Sequence, residues 1–235
     1  MDYTQHFFTV VYSLGMKYAL SFTYEVPHWN DGFEVTGIDE VGRGALAGPV
    51  YAGSVCFPTS ISARVRRELE SAGVYDSKKL TKRARERAAE LIHRYAAVGI
   101  GSSECEEINS LGIAPASFLA MRRAFARMWE SIRPCRLVVY VDAFHIPGMP
   151  KDRVNRQIPI VKGDSKVFSI AAASIIAKVA RDRRMTELAA QHPRYSFEEN
   201  KGYGTSAHRS AIQQHGPCCE HRDLFVRKCL GSIKP

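Results

Sequence analysis

Leu137-Val138-Val139-Tyr140-Val141-Asp142 decides the fold: an unbroken apolar run that ends on an acid. A strand with one wet face alternates apolar and polar residues, so an uninterrupted run implies burial on both faces, as in a central strand covered by helices. Outward from this run, segments 33–39, 49–57, 96–103, 135–141 and 157–162 are β-branched or aromatic and bounded by Gly, Pro or polar residues, which predicts strands. Helical patterns lie between them. Over 81–95, Thr81 can cap, and Ala84, Ala88, Leu91, Ile92 and Tyr95 recur at helical spacing above a basic face. Over 115–130, Pro115 suits a first turn, and Phe118, Met121, Phe125 and Met128 line the side opposite Arg122, Arg123 and Arg127. The third helix, 168–190, contains a run of small residues from Ser169 to Lys178 that permits close backbone approach to a sheet. Helix-like stretches near 206–214 and 221–229 suggest a small C-terminal lobe. The pattern is α/β, divided into an N-terminal extension (1–32), a central α/β unit (33–190) and a C-terminal helical region (191–235).

A chain of 235 residues can bury a substantial core, and 45% hydrophobic with 24% charged residues argues against a largely disordered chain. Lys and Arg number 33 against 24 Asp and Glu, a net charge of +9, which suits a polyanionic partner. The six cysteines lack paired zinc-type spacing and point to a reducing, cytoplasmic setting. His215, Cys218, Cys219 and His221 are metal-ligating types, but adjacent cysteines chelate awkwardly, so zinc is not expected there. Near the N-terminus, the run from Phe7 to Tyr12 is interrupted at Lys17, Asp2 stands where a basic residue would open a signal peptide, and no small-residue cleavage site follows. Neither secretion nor a membrane span is expected, and Met16 is an alternative start. No repeat or low-complexity tract divides the chain.

Chemistry concentrates at predicted strand ends. Asp39 and Glu40 close the first strand within Gly37-Ile-Asp-Glu-Val-Gly-Arg-Gly44, Asp142 closes the buried run, and Asp164 follows Val161-Lys162-Gly163 before a helix. Taken singly, the first pair is more often a solvated strand end, and Asp164 has the alternative of a helix-dipole partner. Taken together, strand ends on one sheet edge converge. Side chains alternate along a strand, so Asp39 and Glu40 face one site only if the backbone bends, a freedom that Gly42 and Gly44 supply. Four gathered acids repel unless a divalent cation joins them, and hard oxygen donors select Mg2+ or Mn2+. Two such ions roughly 4 Å apart suit in-line phosphodiester cleavage: one activates a water and the other steadies the departing 3′ oxygen.

These motifs resemble ribonuclease HII. The resemblance is carried by GIDEVGRGALAGPV (37–50), Asp76-Ser77-Lys78-Lys79-Leu80, Val141-Asp142-Ala143 and KGDSKVFSIAAASIIAKVARD (162–182). Lys201-Gly-Tyr-Gly-Thr205 with His208, and Gly216-Pro217 with His221-Arg222, complete an ordered series from about residue 35 to 225. It implies a ribonuclease H-like fold, a five-stranded mixed sheet flanked by helices with the first three strands antiparallel and a C-terminal helical region. It also implies an endonuclease that acts on RNA–DNA hybrids and duplex DNA containing ribonucleotides, with Asp39, Glu40, Asp142 and Asp164 as catalytic, metal-holding acids. Gly42-Arg43-Gly44 would read the ribonucleotide 2′-hydroxyl and Tyr203 would stack on the next sugar, although a surface turn and a packed core tyrosine are the plain alternatives. Ser77, Lys78 and Lys162 are candidate phosphate contacts or, equally, solubilising residues. Ser174, Lys178, His208 and His221 read as framework. The enzyme is expected to act as a monomer. Ribonuclease HIII, which lacks the glycine-arginine-glycine element, is the nearest rival; a nuclease of the same fold acting on DNA junctions or ends is more distant, and a non-catalytic hybrid-binding module is the rival from another class.

Overall fold

The computed structural model describes residues 22–74 and 80–230. Five strands form one sheet: β1 (Glu34–Val41), β2 (Val50–Cys56), β3 (Ala97–Ser103), β4 (Leu137–Asp142) and β5 (Arg156–Ile160). Their spatial order is β3-β2-β1-β4-β5; β1, β2 and β3 pair antiparallel, whereas β1 with β4 and β4 with β5 are parallel. The helices are α1 (Glu25–Asn30), α2 (Ala63–Ser71), α3 (Lys82–Tyr95), α4 (Cys105–Leu111), α5 (Ile113–Ile132), α6 (Phe168–Gln191), α7 (Phe197–Asn200), α8 (Ser206–His215) and α9 (Asp223–Leu230). This is the ribonuclease H-like α/β sheet that the sequence resemblance implied.

The apolar run in β4 is buried from both sides. Val138 and Tyr140 face one core, shared with Phe168 and Ile170 of α6 and with Ala88 and Ile92 of α3. Leu137, Val139 and Val141 face the other, shared with Met121, Phe125 and Met128 of α5. A third apolar group joins Leu46 and Ala47 to Met185 and Leu188 of α6 and to Tyr195, Phe197, Ile212 and Val226.

The small residues of α6 lie on sheet residues that are themselves small. A Cβ at Gly37 would stand 2.2 Å from the Ser169 backbone, and one at Gly53 would stand 2.3 Å from the Ala173 carbonyl oxygen. Neither position admits a side chain unless the helix lifts from the sheet.

The expected third strand and the helix capped by Thr81 appear within a residue or two of their predicted limits; Thr81 Oγ1 accepts from Ala84 N at 3.3 Å. The helix predicted over 115–130 is longer, so Pro115 is its third residue. Helices α2 and α4 were not anticipated. Within the stretch assigned above to an N-terminal extension, Phe22 and Trp29 enter the core, and buried Glu25 accepts from Ser169 N at 2.9 Å and Ser169 Oγ at 2.8 Å. Glu25 thereby caps α6, and burial raises its pKa. Among the described residues, no helix is long and apolar enough to cross a membrane.

Candidate active site

Parallel pairing brings the strand-end acids to one edge. The β1–β4 ladder ends at Ile38 opposite Val141, so Asp39 and Asp142 are the next residues of their strands at the same sheet edge. Asp142 is also the last residue of β4 in register with β5, opposite Ile160. From β5 the chain turns through Val161 and Lys162 into a 3-10 turn, Gly163–Ser165, where Gly163 N donates to Asp142 Oδ1 at 2.6 Å. Asp164 therefore follows a residue in direct contact with Asp142.

The bend expected between Asp39 and Glu40 lies further on. Strand β1 keeps its antiparallel pairing through both acids to Val41, which pairs with Tyr51. The turn comes at Gly42, with φ +94°. Pairing with β2 holds the chain extended, while the end of β4 opens the other side of β1. Asp39 and Glu40 consequently remain in an alternating strand, yet both feel Asp142.

Like charge and burial set the electrostatics. Burial pushes the Asp39 carboxyl well above its ordinary range, Glu40 and Asp142 push it further, and hydrogen bonds from Ser174 and from Glu40 N oppose the rise. The Glu40 N–Asp39 Oδ1 distance is 2.7 Å. Burial also raises Glu40, against the pull of Arg43, whose Nη1 lies 3.2 Å from Glu40 Oε1. Glu40 Oε2 is buried and accepts no hydrogen bond. A buried carboxylate oxygen without a donor, beside two further acids, fits a divalent cation with hard oxygen preference.

Around this edge, the remaining candidates occupy different settings. Arg43 crosses Phe144, with Cζ 4.5 Å from the ring centroid. Gly44 leaves open space where a Cβ would project, as a cradle for a ligand requires. Gly42 has another duty: a Cβ there would strike Arg181 Nε at 2.2 Å, so its small size makes room for a buried arginine as well as for the turn. Tyr203 is 37% exposed, which excludes the packed-core alternative; Arg181 Cζ lies 5.3 Å from its ring. Lys162 is exposed and takes a left-handed conformation. Ser77 and Lys78 lie outside the described residues.

Two buried arginines organise the loop that follows β1. Arg181 donates to the carbonyls of Pro49 (2.9 Å), Lys201 (2.9 Å) and Ala47 (3.3 Å). Arg222 donates to Gly48 O from Nε and Nη2 (3.0 and 2.7 Å) and to Arg43 O from Nη1 (2.9 Å). Sequence reasoning missed Arg181 and Phe144 as parts of this region, and it read Ser174 as framework without its bond to Asp39. Arg181 carried a signal: it occupies the buried i, i+4 series Ala173, Ala177, Arg181, Met185, where an apolar residue is the norm. Phe144 carried none.

His208 and His221 do act as framework. Cys218 N donates to His221 Nδ1 (3.0 Å), which leaves His221 Nε2–H to donate to His208 Nε2 (3.1 Å) and His208 Nδ1–H to donate to Tyr203 O (3.0 Å). Both rings are thereby neutral, and burial depresses both pKa values. Lys178 pairs with Asp182 at 2.6 Å.

The sequence model of ribonuclease HII matches residues 36–228. Ribonuclease HII of Caldanaerobacter subterraneus is 44% identical over 88% of this chain and 80% of its own length; that of Fusobacterium nucleatum is 46% identical over 83% and 87%. In fold, the chain is similar to the ribonuclease HII of the PCNA complex from Archaeoglobus fulgidus, with a TM-score of 0.64 and 24% identity over 86% of this chain and 97% of that one. The match spans every strand and the C-terminal lobe through α8, and the chain belongs to the ribonuclease HII family.

Proposed function

We propose that this ribonuclease H is an endonuclease that cuts the RNA strand of RNA–DNA hybrids and the phosphodiester 5′ to a single ribonucleotide in duplex DNA, leaving a 3′-hydroxyl and a 5′-phosphate. Asp39, Glu40, Asp142 and Asp164 hold the divalent cations, Mg2+ or Mn2+. The observation that carries this reading is the meeting of Asp39, Glu40 and Asp142 at one sheet edge, with a buried Glu40 oxygen that no donor satisfies.

When bound, the cations supply an activated water and charge neutralisation at the departing oxygen. The chain's own part is positional. Rigid strand ends fix the carboxylates, and Ser174 holds the Asp39 carboxyl. Gly44 leaves room for a sugar edge, Arg43 lies beside it, and exposed Tyr203 offers a stacking face for the neighbouring sugar. Lys162, with Ser77 and Lys78, supplies phosphate contacts. Residues 191–235 complete the substrate cleft beside the catalytic unit, and the enzyme works as a monomer. A reducing, cytoplasmic setting accords with six unpaired thiols.

A duplex bearing one ribonucleotide, incubated with either metal, is expected to be cut on the 5′ side of that residue. Intact substrate with both metals overturns the proposal. Asp142→Asn is expected to lower turnover by orders of magnitude while largely keeping hybrid binding, because it removes transition-state stabilisation more than affinity.

A further inference from the structure

Far from the acids, at the other end of α6, lies a second group of metal-ligating side chains. His192 follows the last residue of that helix, and its backbone N donates to Leu188 O at 2.9 Å. Cys219 and Glu220 are the central residues of a tight turn closed by His221 N donating to Cys218 O at 3.0 Å. An imidazole nitrogen of His192, the Cys219 sulfur and a Glu220 carboxylate oxygen all lie within 4.8 Å of one another. We propose that these three residues form a second metal site, for a borderline-soft divalent ion of the zinc class, and that the ion clips the end of α6 to the 218–221 turn.

The donor set selects the ion. One thiolate, one imidazole and one carboxylate match the ligands that zinc accepts, whereas magnesium and calcium take oxygen alone. Neighbouring ligands around tetrahedral zinc stand roughly 3.5 Å apart, so the group closes on an ion by small side-chain rotations. Three protein ligands leave the fourth position to water, which the exposed side of Cys219 admits.

The membership of the site follows from which groups are already engaged. Both ring nitrogens of His221 are used, one by Cys218 N and one by His208. Among the described residues, no hydrogen bond or ion pair ties up the donor groups of His192, Cys219 or Glu220. Glu220 also accepts from Gly48 N through its backbone carbonyl at 2.7 Å. An ion bound here fastens the helix end to the turn that braces the loop after β1.

Cobalt(II) is the direct probe, because a thiolate ligand gives a near-ultraviolet sulfur-to-cobalt band that oxygen-only sites lack. Metal-free full-length protein, kept reduced with a phosphine, is titrated with Co2+ at neutral pH. The proposal expects a thiolate band that saturates at one ion per chain and is bleached by one equivalent of Zn2+. Cys219→Ser abolishes the band, while Cys218→Ser and Cys135→Ser keep it. His192→Gln and Glu220→Gln each weaken Co2+ binding about tenfold or more, and His215→Gln leaves it unchanged. Zn2+ raises the Tm of the parent protein by more than that of Cys219→Ser, whose remaining shift reports the ion held by the strand-end acids. No thiolate band, a band that survives Cys219→Ser, or unchanged affinity in both His192→Gln and Glu220→Gln overturns the proposal. Cobalt held by Asp39, Glu40 and Asp142 produces no sulfur band, so the two sites are read separately.

Discussion

Arg222 reaches across 179 positions of sequence to donate from Nη1 to the backbone carbonyl of Arg43 at 2.9 Å. Its other nitrogens hold Gly48, so one fully buried guanidinium fixes both ends of the loop proposed to meet the ribonucleotide. Burial and nearby Arg181 lower its pKa to about 10, which leaves it charged at neutral pH. Arg222→Ala strands buried carbonyls and is expected to cost about 2–4 kcal/mol in urea unfolding. Arg222→Lys keeps the charge and loses the fork, so it is expected to recover part of the stability while ribonucleotide discrimination stays impaired. Discrimination equal to the parent in the lysine variant would show that the loop is held by other means.

Asp39 is expected to trade stability for its proposed role. Its folded pKa is raised, so the carboxylate destabilises the metal-free fold at neutral pH. The sign follows from linkage: stability contributed by this group is greatest below the unfolded pKa and declines as pH rises through the folded one. Asp39→Asn should therefore melt higher than the parent at pH 7.5 without metal, and this advantage should shrink toward pH 4. About 1 kcal/mol corresponds to roughly 2–4 °C in a chain of this size. Differential scanning fluorimetry with and without Mn2+ tests both arms, since the ion is expected to stabilise the parent more than the variant.

The coupled imidazoles predict an acid-labile C-terminal lobe. Burial, with further depression from His208 and His192, lowers the His221 pKa from 6.5 to about 4. A histidine held neutral in the fold loses its stabilising contribution as pH falls from about 6.5 toward 4, because the unfolded chain takes up the proton first. The loss reaches at most about 3 kcal/mol at the acid end. His221→Gln should flatten this part of the pH–stability curve. An unaltered slope between pH 6.5 and 4.5 in that variant argues against the assignment.

Phe144 is expected to position Arg43. The guanidinium is also drawn toward Glu40, so removing the ring leaves it free to follow the carboxylate. A cation–π contact is worth about 1 kcal/mol, so Phe144→Ala should lower discrimination between ribonucleotide and deoxyribonucleotide substrates by about fivefold. Phe144→Tyr should restore it. A loss that Tyr does not rescue points to general destabilisation instead.

The sheet was legible because its signals are local. The run Leu137–Val141 announced two-sided burial, and both cores meet on it. Helices α2 and α4 escaped notice for the opposite reason: each buries very little, Leu69 in α2, Cys105 and Ile108 in α4. At the proposed site, the acids could be picked out as strand ends, but the position of the bend could not. It depends on β2 holding β1 extended past the end of β4. The metal-ligating types near the C-terminus were visible, yet their grouping was not: His221 is engaged by His208, while His192 comes from the end of a distant helix.

Gly37 and Gly53 seat α6 directly on the backbone of the sheet, and a helix of 24 residues is about 36 Å long. Such a strut cannot slide or roll without prising open the main core, so its two ends hold a constant spacing. A substrate bound as proposed above meets a frame of set length. Adjustment between the two then falls to the substrate and to the side chains of the loop after β1.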